Sequence, residues 1–208
     1  MKIFMLVLLL LFSLSLSAQK TTFKEGDFIF QNIDCGPLCD AINEVTEGYD
    51  DLNFNHIGMV IWYKDQLQVV EATYPQVCVT PIEDFLNKTS ATMYLGRLLP
   101  KYESLIPKAK SFTLEQVGIP YDDNYLYDNG KYYCSELIYD AFKAANDNTA
   151  FFKMYPMTYK SKYTGEFFPV WLEYFKKLDQ PVPEGLPGCN PAGLSLSEKI
   201  TIVGAISQ

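Results

Sequence analysis

The sequence predicts an α+β domain. Two observations carry this. Short runs rich in Val, Ile and aromatic residues crowd the first half of the chain, and two amphipathic helical stretches follow them. In order, Gly26-Asp27 opens a strand over Phe28 to Gln31. Cys35-Gly36-Pro37-Leu38-Cys39 then breaks the chain, and Asp40 to Val45 form a short helix. His56 to Tyr63, Leu67 to Thr73, Val77 to Thr80 and Thr92 to Leu98 read as further strands. Pro81 stands where a helical turn, Ile82 to Leu86, begins. Lys101 to Val117 place Leu105, Ala109 and Phe112 on one stripe, and Gly118 with Pro120 stops that helix. Cys134 to Ala145 put Leu137, Ile138, Ala141, Phe142 and Ala145 on one face. Cys134 precedes Leu137 and Ile138 by one helical turn, so it projects from that same face. Proline and glycine crowd the segment from about Pro181, which reads as a tail wrapping the surface rather than a second domain.

Residues 1–18 read as a secretory leader. Met1-Lys2 supply a short positive start, Ile3 to Leu11 are all apolar, and Ser13, Ser15, Ser17 and Ala18 are small. The apolar run is too short to cross a bilayer. Cleavage after Ala18 leaves a single domain over 19–208, destined for the periplasm or the exterior; an uncleaved anchor is the alternative. The domain is long enough for one core, and an apolar share of 48% excludes global disorder. A net charge of −8 with Arg97 as the sole arginine leaves no basic stripe for nucleic acid. The five cysteines, Cys35, Cys39, Cys78, Cys134 and Cys189, would allow two disulfides and one free thiol in an oxidising compartment. Spacing does not choose among the pairings.

The chain has one histidine, His56. Any chemistry that needs an imidazole must take it from there. Cys134 stands at a helix start, where unpaired N–H groups and the helix dipole favour a thiolate, and a neighbouring imidazolium favours it further. Such a pair needs an orienting group. Glu71, in Val69-Val70-Glu71-Ala72, is the candidate, because a bare carboxylate in so apolar a run calls for a partner. If Lys64-Asp65 form a two-residue hairpin turn, Tyr63 pairs with Gln66 and Gly58 lies opposite Glu71. His56 is then two residues along on the same face, a diagonal separation of about 7–8 Å between backbones. Gly58 would leave the space between the two side chains empty. A turn one residue longer would send Glu71 to the other face. A packed strand histidine, a core cysteine and an edge-strand carboxylate are the structural alternatives, and spacing alone leaves them open.

Other chemistries find less support. Cys35 to Cys39 superficially resemble the cysteine loop of papain-type proteases, but those enzymes place their histidine far downstream. Cys35 and Cys39 fit structural disulfides better. A zinc site needs more than one histidine or a CxxC pair, and Asp122, Asp123 and Asp128 lack calcium-loop spacing, so no metal is expected. There is no P-loop, GxGxxG or GxSxG.

Five pieces of sequence together resemble a known family: Gly26-Asp27-Phe28-Ile29, Asn55-His56-Ile57-Gly58, Val70-Glu71-Ala72, Gly118-Ile119-Pro120-Tyr121-Asp122 and Tyr133-Cys134-Ser135-Glu136-Leu137. They look like the YiiX/YebB-like cysteine hydrolases of the circularly permuted, papain-like branch of the NlpC superfamily. The order His, acid, Cys is that branch's order, and the likeness runs from about Phe23 to the end. The resemblance implies an antiparallel sheet carrying histidine and acid, packed against a helix carrying the nucleophile. It implies Cys134 as nucleophile, His56 as general base, Glu71 as its orienter and Tyr121 as a substrate-binding residue. The Cys134 N–H would join an oxyanion hole. No cofactor is called for. The expectation is an exported cysteine amidase acting on a peptide or other amide, with a peptidoglycan fragment as the leading substrate. Lipid ester or thioester chemistry on the same residues, or a binding module without turnover, are the alternatives. A deep apolar cleft beside Cys134 would favour lipids, and a narrow acidic groove would favour peptides.

Overall fold

The computed structural model describes residues 21–206, so the expected leader lies outside the described residues. The elements run β1 (Phe28–Gln31), α1 (Pro37–Val45), β2 (His56–Tyr63), β3 (Gln66–Thr73), β4 (Gln76–Pro81), α2 (Ile82–Leu86), β5 (Tyr94–Leu98), α3 (Ile106–Glu115) and α4 (Cys134–Ala145). The two-residue strand β6 (Tyr155–Pro156), α5 (Pro169–Lys177), a second two-residue strand β7 (Pro187–Gly188), α6 (Pro191–Ser195) and β8 (Ile200–Ala205) complete the order. Six strands form one antiparallel sheet, β4-β3-β2-β1-β5-β8. The α+β class and the helix-on-sheet arrangement are as expected.

Alternation along the strands sorts the core into two faces. Phe28, Phe30, Ile57, Met59, Ile61 and Val70 point to one side, where Leu137, Ile138 and Phe142 of α4 cover them. Ile29, Val60, Val69 and Leu95 point to the other, covered by Phe85 of α2 and by Met93. A third cluster, built on Ala41, Tyr159, Trp171 and Phe175, stands apart from the sheet between α1 and α5.

The β2–β3 hairpin has the register that the sequence suggests. Tyr63 pairs with Gln66 across Lys64 and Asp65, whose φ values of 49° and 61° are those of a type I′ turn. The pairing runs back to Met59 opposite Val70, which puts Gly58 opposite Glu71. The space beside Gly58 is not empty, however. A Cβ there would sit 2.3 Å from Val69 Cγ1 and 2.8 Å from Phe85 Cε2, so Phe85 fills it.

Three expectations need correction. The helix expected from Lys101 begins at Ile106, because Pro107 takes its first turn and the preceding Pro100–Leu105 stretch is 3-10 helix. The segment beyond Pro181 does not merely wrap the surface. Cys189, Ala192 and Leu194 are buried in the main core, and β8 extends the sheet beside β5. Its β-branched run Ile200-Thr201-Ile202-Val203 was the available signal, overshadowed by the prolines before it. Finally there is one disulfide, Cys35–Cys39, at the start of α1; Cys78, Cys134 and Cys189 are free thiols.

Gly58→Ala is expected to destabilise the fold by about 1–3 kcal/mol, because the added methyl meets Val69 and the Phe85 ring in a packed layer. Urea denaturation checks this, and an unchanged midpoint would contradict it.

Candidate active site

His56 opens β2, and its backbone is held where it is by the residue before it. Asn55 Oδ1 accepts the Ile33 N–H at 2.8 Å, and Asn55 Nδ2 donates to Ile33 O at 2.8 Å and to Asn32 Oδ1 at 3.0 Å. The imidazole is 7% exposed and packs beside the Phe85 ring. Its Nε2 lies 2.7 Å from Glu71 Oε2. Glu71 has no exposed surface, so its charge must be met inside the protein. It is met by three groups. Besides His56, Thr80 Oγ1 donates to Oε1 at 2.6 Å, and Lys88 Nζ lies 2.6 Å from Oε1 and 2.5 Å from Oε2. Thr80 and Lys88 were not anticipated. Thr80 pairs with Val69 across β3 and β4, two residues from Glu71. Register therefore made Thr80 findable, whereas Lys88 arrives from the end of α2 and only the tertiary fold brings it in.

Cys134 is the first residue of α4, buried, with its sulfur 3.8 Å from Asn55 O. His56 shares the sheet face of Gly58 and Val60, and α4 packs on the opposite face. The two groups meet because each sits at the end of its element, where β2 begins and α4 begins. Cys134 lies near enough to His56 for its sulfur to act on the charge of the imidazole. Glu71 occupies Nε2, so Nδ1 is the ring nitrogen left open. Burial opposes charge on the ring, but Cys134 and Glu71 together raise the imidazole from 6.5 to about 9. Burial likewise opposes charge on Glu71, but His56 and Lys88 hold it down, from 4.5 to about 2.

The residues after Cys134 anchor the helix start. Ser135 Oγ donates to Cys189 O at 3.0 Å and ties the α6 segment to the first turn of α4. Glu136 Oε1 accepts the Asp128 N–H at 3.0 Å, and Oε2 accepts the Tyr133 N–H at 3.5 Å, one half of a capping box. Burial raises the Glu136 carboxyl to about 8 despite those donors. Cys189 is a buried thiol pushed up by burial and held by Tyr133, whose hydroxyl accepts the Cys189 N–H at 3.2 Å.

A cavity of about 710 Å³ opens beside Cys134. Tyr121 lines it, as do Tyr125, Tyr133, Tyr159 and Trp171. Burial, followed by the neighbouring Tyr125 and Cys134, pushes the Tyr121 phenol well above its ordinary range, so it is a neutral hydroxyl. The structure thus brings Cys134, His56, Glu71 and Tyr121 to one place.

With one histidine in the chain, the imidazole titration is a single resonance by NMR. It is expected near pH 9. Glu71→Gln should lower it, since burial remains and the carboxylate is gone. Lys88→Met should raise it, since Glu71 then faces His56 alone. A wild-type midpoint at the free value of 6.5 would contradict the arrangement. The linkage has a sign. The raised His56 contributes its full stability below pH 6.5 and loses it as pH rises through about 9. The depressed Glu71 contributes above pH 4.5 and loses its part as pH falls through about 2.

Comparison with known proteins fits this geometry. A model of the permuted papain-like amidase family YaeF/YiiX, C92, matches residues 22–204. No curated protein matches the chain. Among solved structures, the metalloprotein YiiX of Escherichia coli O157:H7 is similar in fold, with a TM-score of 0.69 at 19% identity over 86% of this chain and 96% of that one. In the present chain no group of three or more His, Cys, Asp or Glu side chains among the described residues is placed to hold a metal ion. Lys88 on Glu71 further opposes a cation beside His56. The described residues therefore do not fit a metal. With the family matched along nearly all the described residues, and its frame found in the sheet and helices, the chain belongs to the YaeF/YiiX (C92) family of permuted papain-like amidases.

Proposed function

We propose that this protein is an exported thiol amidase in which Cys134 attacks, His56 moves the proton and Glu71 orients His56. The family is one of amidases, which supports an amide as the bond cleaved. The observation that carries the assignment is the buried imidazole at the start of β2, 2.7 Å from the Glu71 carboxylate, with the Cys134 sulfur 3.8 Å from the carbonyl of the adjoining Asn55. In this reading the Cys134 thiolate adds to the amide carbonyl, and the Cys134 N–H, unpaired at a helix start, faces the developing oxyanion. The His56 imidazolium gives its proton to the amine nitrogen as the C–N bond breaks, leaving a thioester. Neutral His56 then takes a proton from water, whose oxygen adds to the thioester; the acid leaves, and thiolate and imidazolium are restored. Tyr121, a neutral hydroxyl on the cleft wall, contacts the substrate. Export is supported by the leader pattern and by the Cys35–Cys39 disulfide, a bond at home in oxidising compartments. Export would bring the enzyme to cell-wall peptides.

Ester or thioester cleavage on the same residues is the second reading, and one observation favours it: the cleft beside Cys134 is broad and largely apolar rather than narrow and acidic.

Cys134→Ala is expected to lower amide turnover by at least about 10³-fold while leaving the thermal midpoint nearly unchanged. Iodoacetamide at about pH 7 should label Cys134 ahead of Cys78 and Cys189 in peptide mass maps. Undiminished turnover in the variant would refute the mechanism. A Cys134 no more reactive than Cys78 would favour a binding module without turnover.

A further inference from the structure

Given the reading of Cys134 and His56 as the reacting pair, we infer that the cleft is the acyl-side subsite, and that the acyl group it takes is an uncharged, apolar chain or ring. The side follows from proton delivery. The departing amine must lie toward His56 to receive its proton. Cys134, Asn55 and Ser135 line the cleft, and His56 and Glu71 do not. What occupies the cleft is therefore the part of the substrate that stays on sulfur.

The chemistry of the occupant follows from the wall. Tyr125, Tyr159 and Trp171 form one side together with Ile42, Val45 and Met157. Most polar side chains of the lining are already spent on the protein, and the Tyr159 hydroxyl and Trp171 Nε1–H, which have no partner among the described residues, have almost no exposed surface to offer a ligand. Thr46 Oγ1 donates to Ile42 O at 2.9 Å, Thr158 Oγ1 to Glu184 Oε1 at 3.0 Å and Ser161 Oγ to Glu44 Oε1 at 2.5 Å. Asn190 Oδ1 accepts the Gly193 N–H at 2.7 Å, and Asn55 and Ser135 bond backbone as described above. Charges on the lining are balanced, Glu44 and Glu47 against Lys160 and Lys162. Glu47 and Lys162 are exposed, and Lys160 lies over the Phe167 ring at 4.8 Å. An acidic peptide stem placed here would lose its hydration in a largely apolar cleft whose two lysines are already matched in number by two glutamates. An alkyl or aryl acyl group loses nothing by entering, and the cavity size is that of a small-molecule site.

The test reads binding without chemistry. The chain has two tryptophans, Trp62 and Trp171. Trp62 is 49% exposed on β2 and is not part of the cleft lining, so Trp62→Phe leaves Trp171 as the sole reporter, within the cleft wall. N-methyloctanamide is expected to shift the Trp171 emission at concentrations at least about ten-fold below those required for N-methylacetamide, as burial of added methylenes predicts. The N-methyl monoamide of suberic acid, of equal length with a terminal carboxylate, should lose that advantage. Val45→Asp should abolish the preference for octanamide. Equal binding of the acetyl and octanoyl amides, or tighter binding of the carboxylate analogue, overturns the inference and returns the substrate to the acidic peptides. An unreactive Cys134 would instead count against the thiol mechanism, and the binding result would stand apart from it.

Discussion

The carboxylate of Glu71, closed off from solvent, is the constraint on which the site depends. A buried negative charge is tolerated only where the protein surrounds it with donors. Here a threonine hydroxyl, a lysine ammonium and an imidazole do so together. The consequence for His56 is direct. Its ring is pinned through Nε2, and the carboxylate and the nearby Cys134 favour the charged form in a place where burial alone would oppose it. A neutral, freely rotating imidazole in the same layer would be a packing residue.

Lys88 gives this arrangement a character of its own. A carboxylate devoted to one histidine would pull its proton strongly. Shared with an ammonium, Glu71 still orients the ring but holds the imidazolium less tightly than it would alone. The lysine also lies over the Phe85 ring, the same ring that packs beside His56 and fills the space next to Gly58. One aromatic thus touches His56, Lys88 and the space beside Gly58. Geometry and electrostatics are coupled through a single packed side chain.

At the start of α4, the Cys-Ser-Glu piece has a division of labour. Cys134 reaches the cleft, Ser135 fastens the Cys189 backbone, and Glu136 fastens Tyr133 and the loop at Asp128. The helix start is therefore held from two directions by parts of the chain distant in sequence. That explains why the segment after Pro181, which composition marks as loose, is built into the core. Without it, the α4 terminus and one wall of the cleft would lose their support.

The sequence by itself determined the local elements and the residue types of the site. The β2–β3 register followed from a two-residue turn and the period-2 pattern, and the helix over Cys134 to Ala145 from its apolar face. These are short-range effects, and short-range effects are legible in a string. The single histidine left no choice of imidazole. Tertiary structure alone decided the rest. It brought Lys88 onto Glu71, put Phe85 into the space beside Gly58, joined the ends of β2 and α4 across two sheet faces, and recruited β8 and Cys189 into the core. Each of these depends on where separate elements come to rest against one another. Packing and buried charge settle that, and neither has a period that a sequence can show.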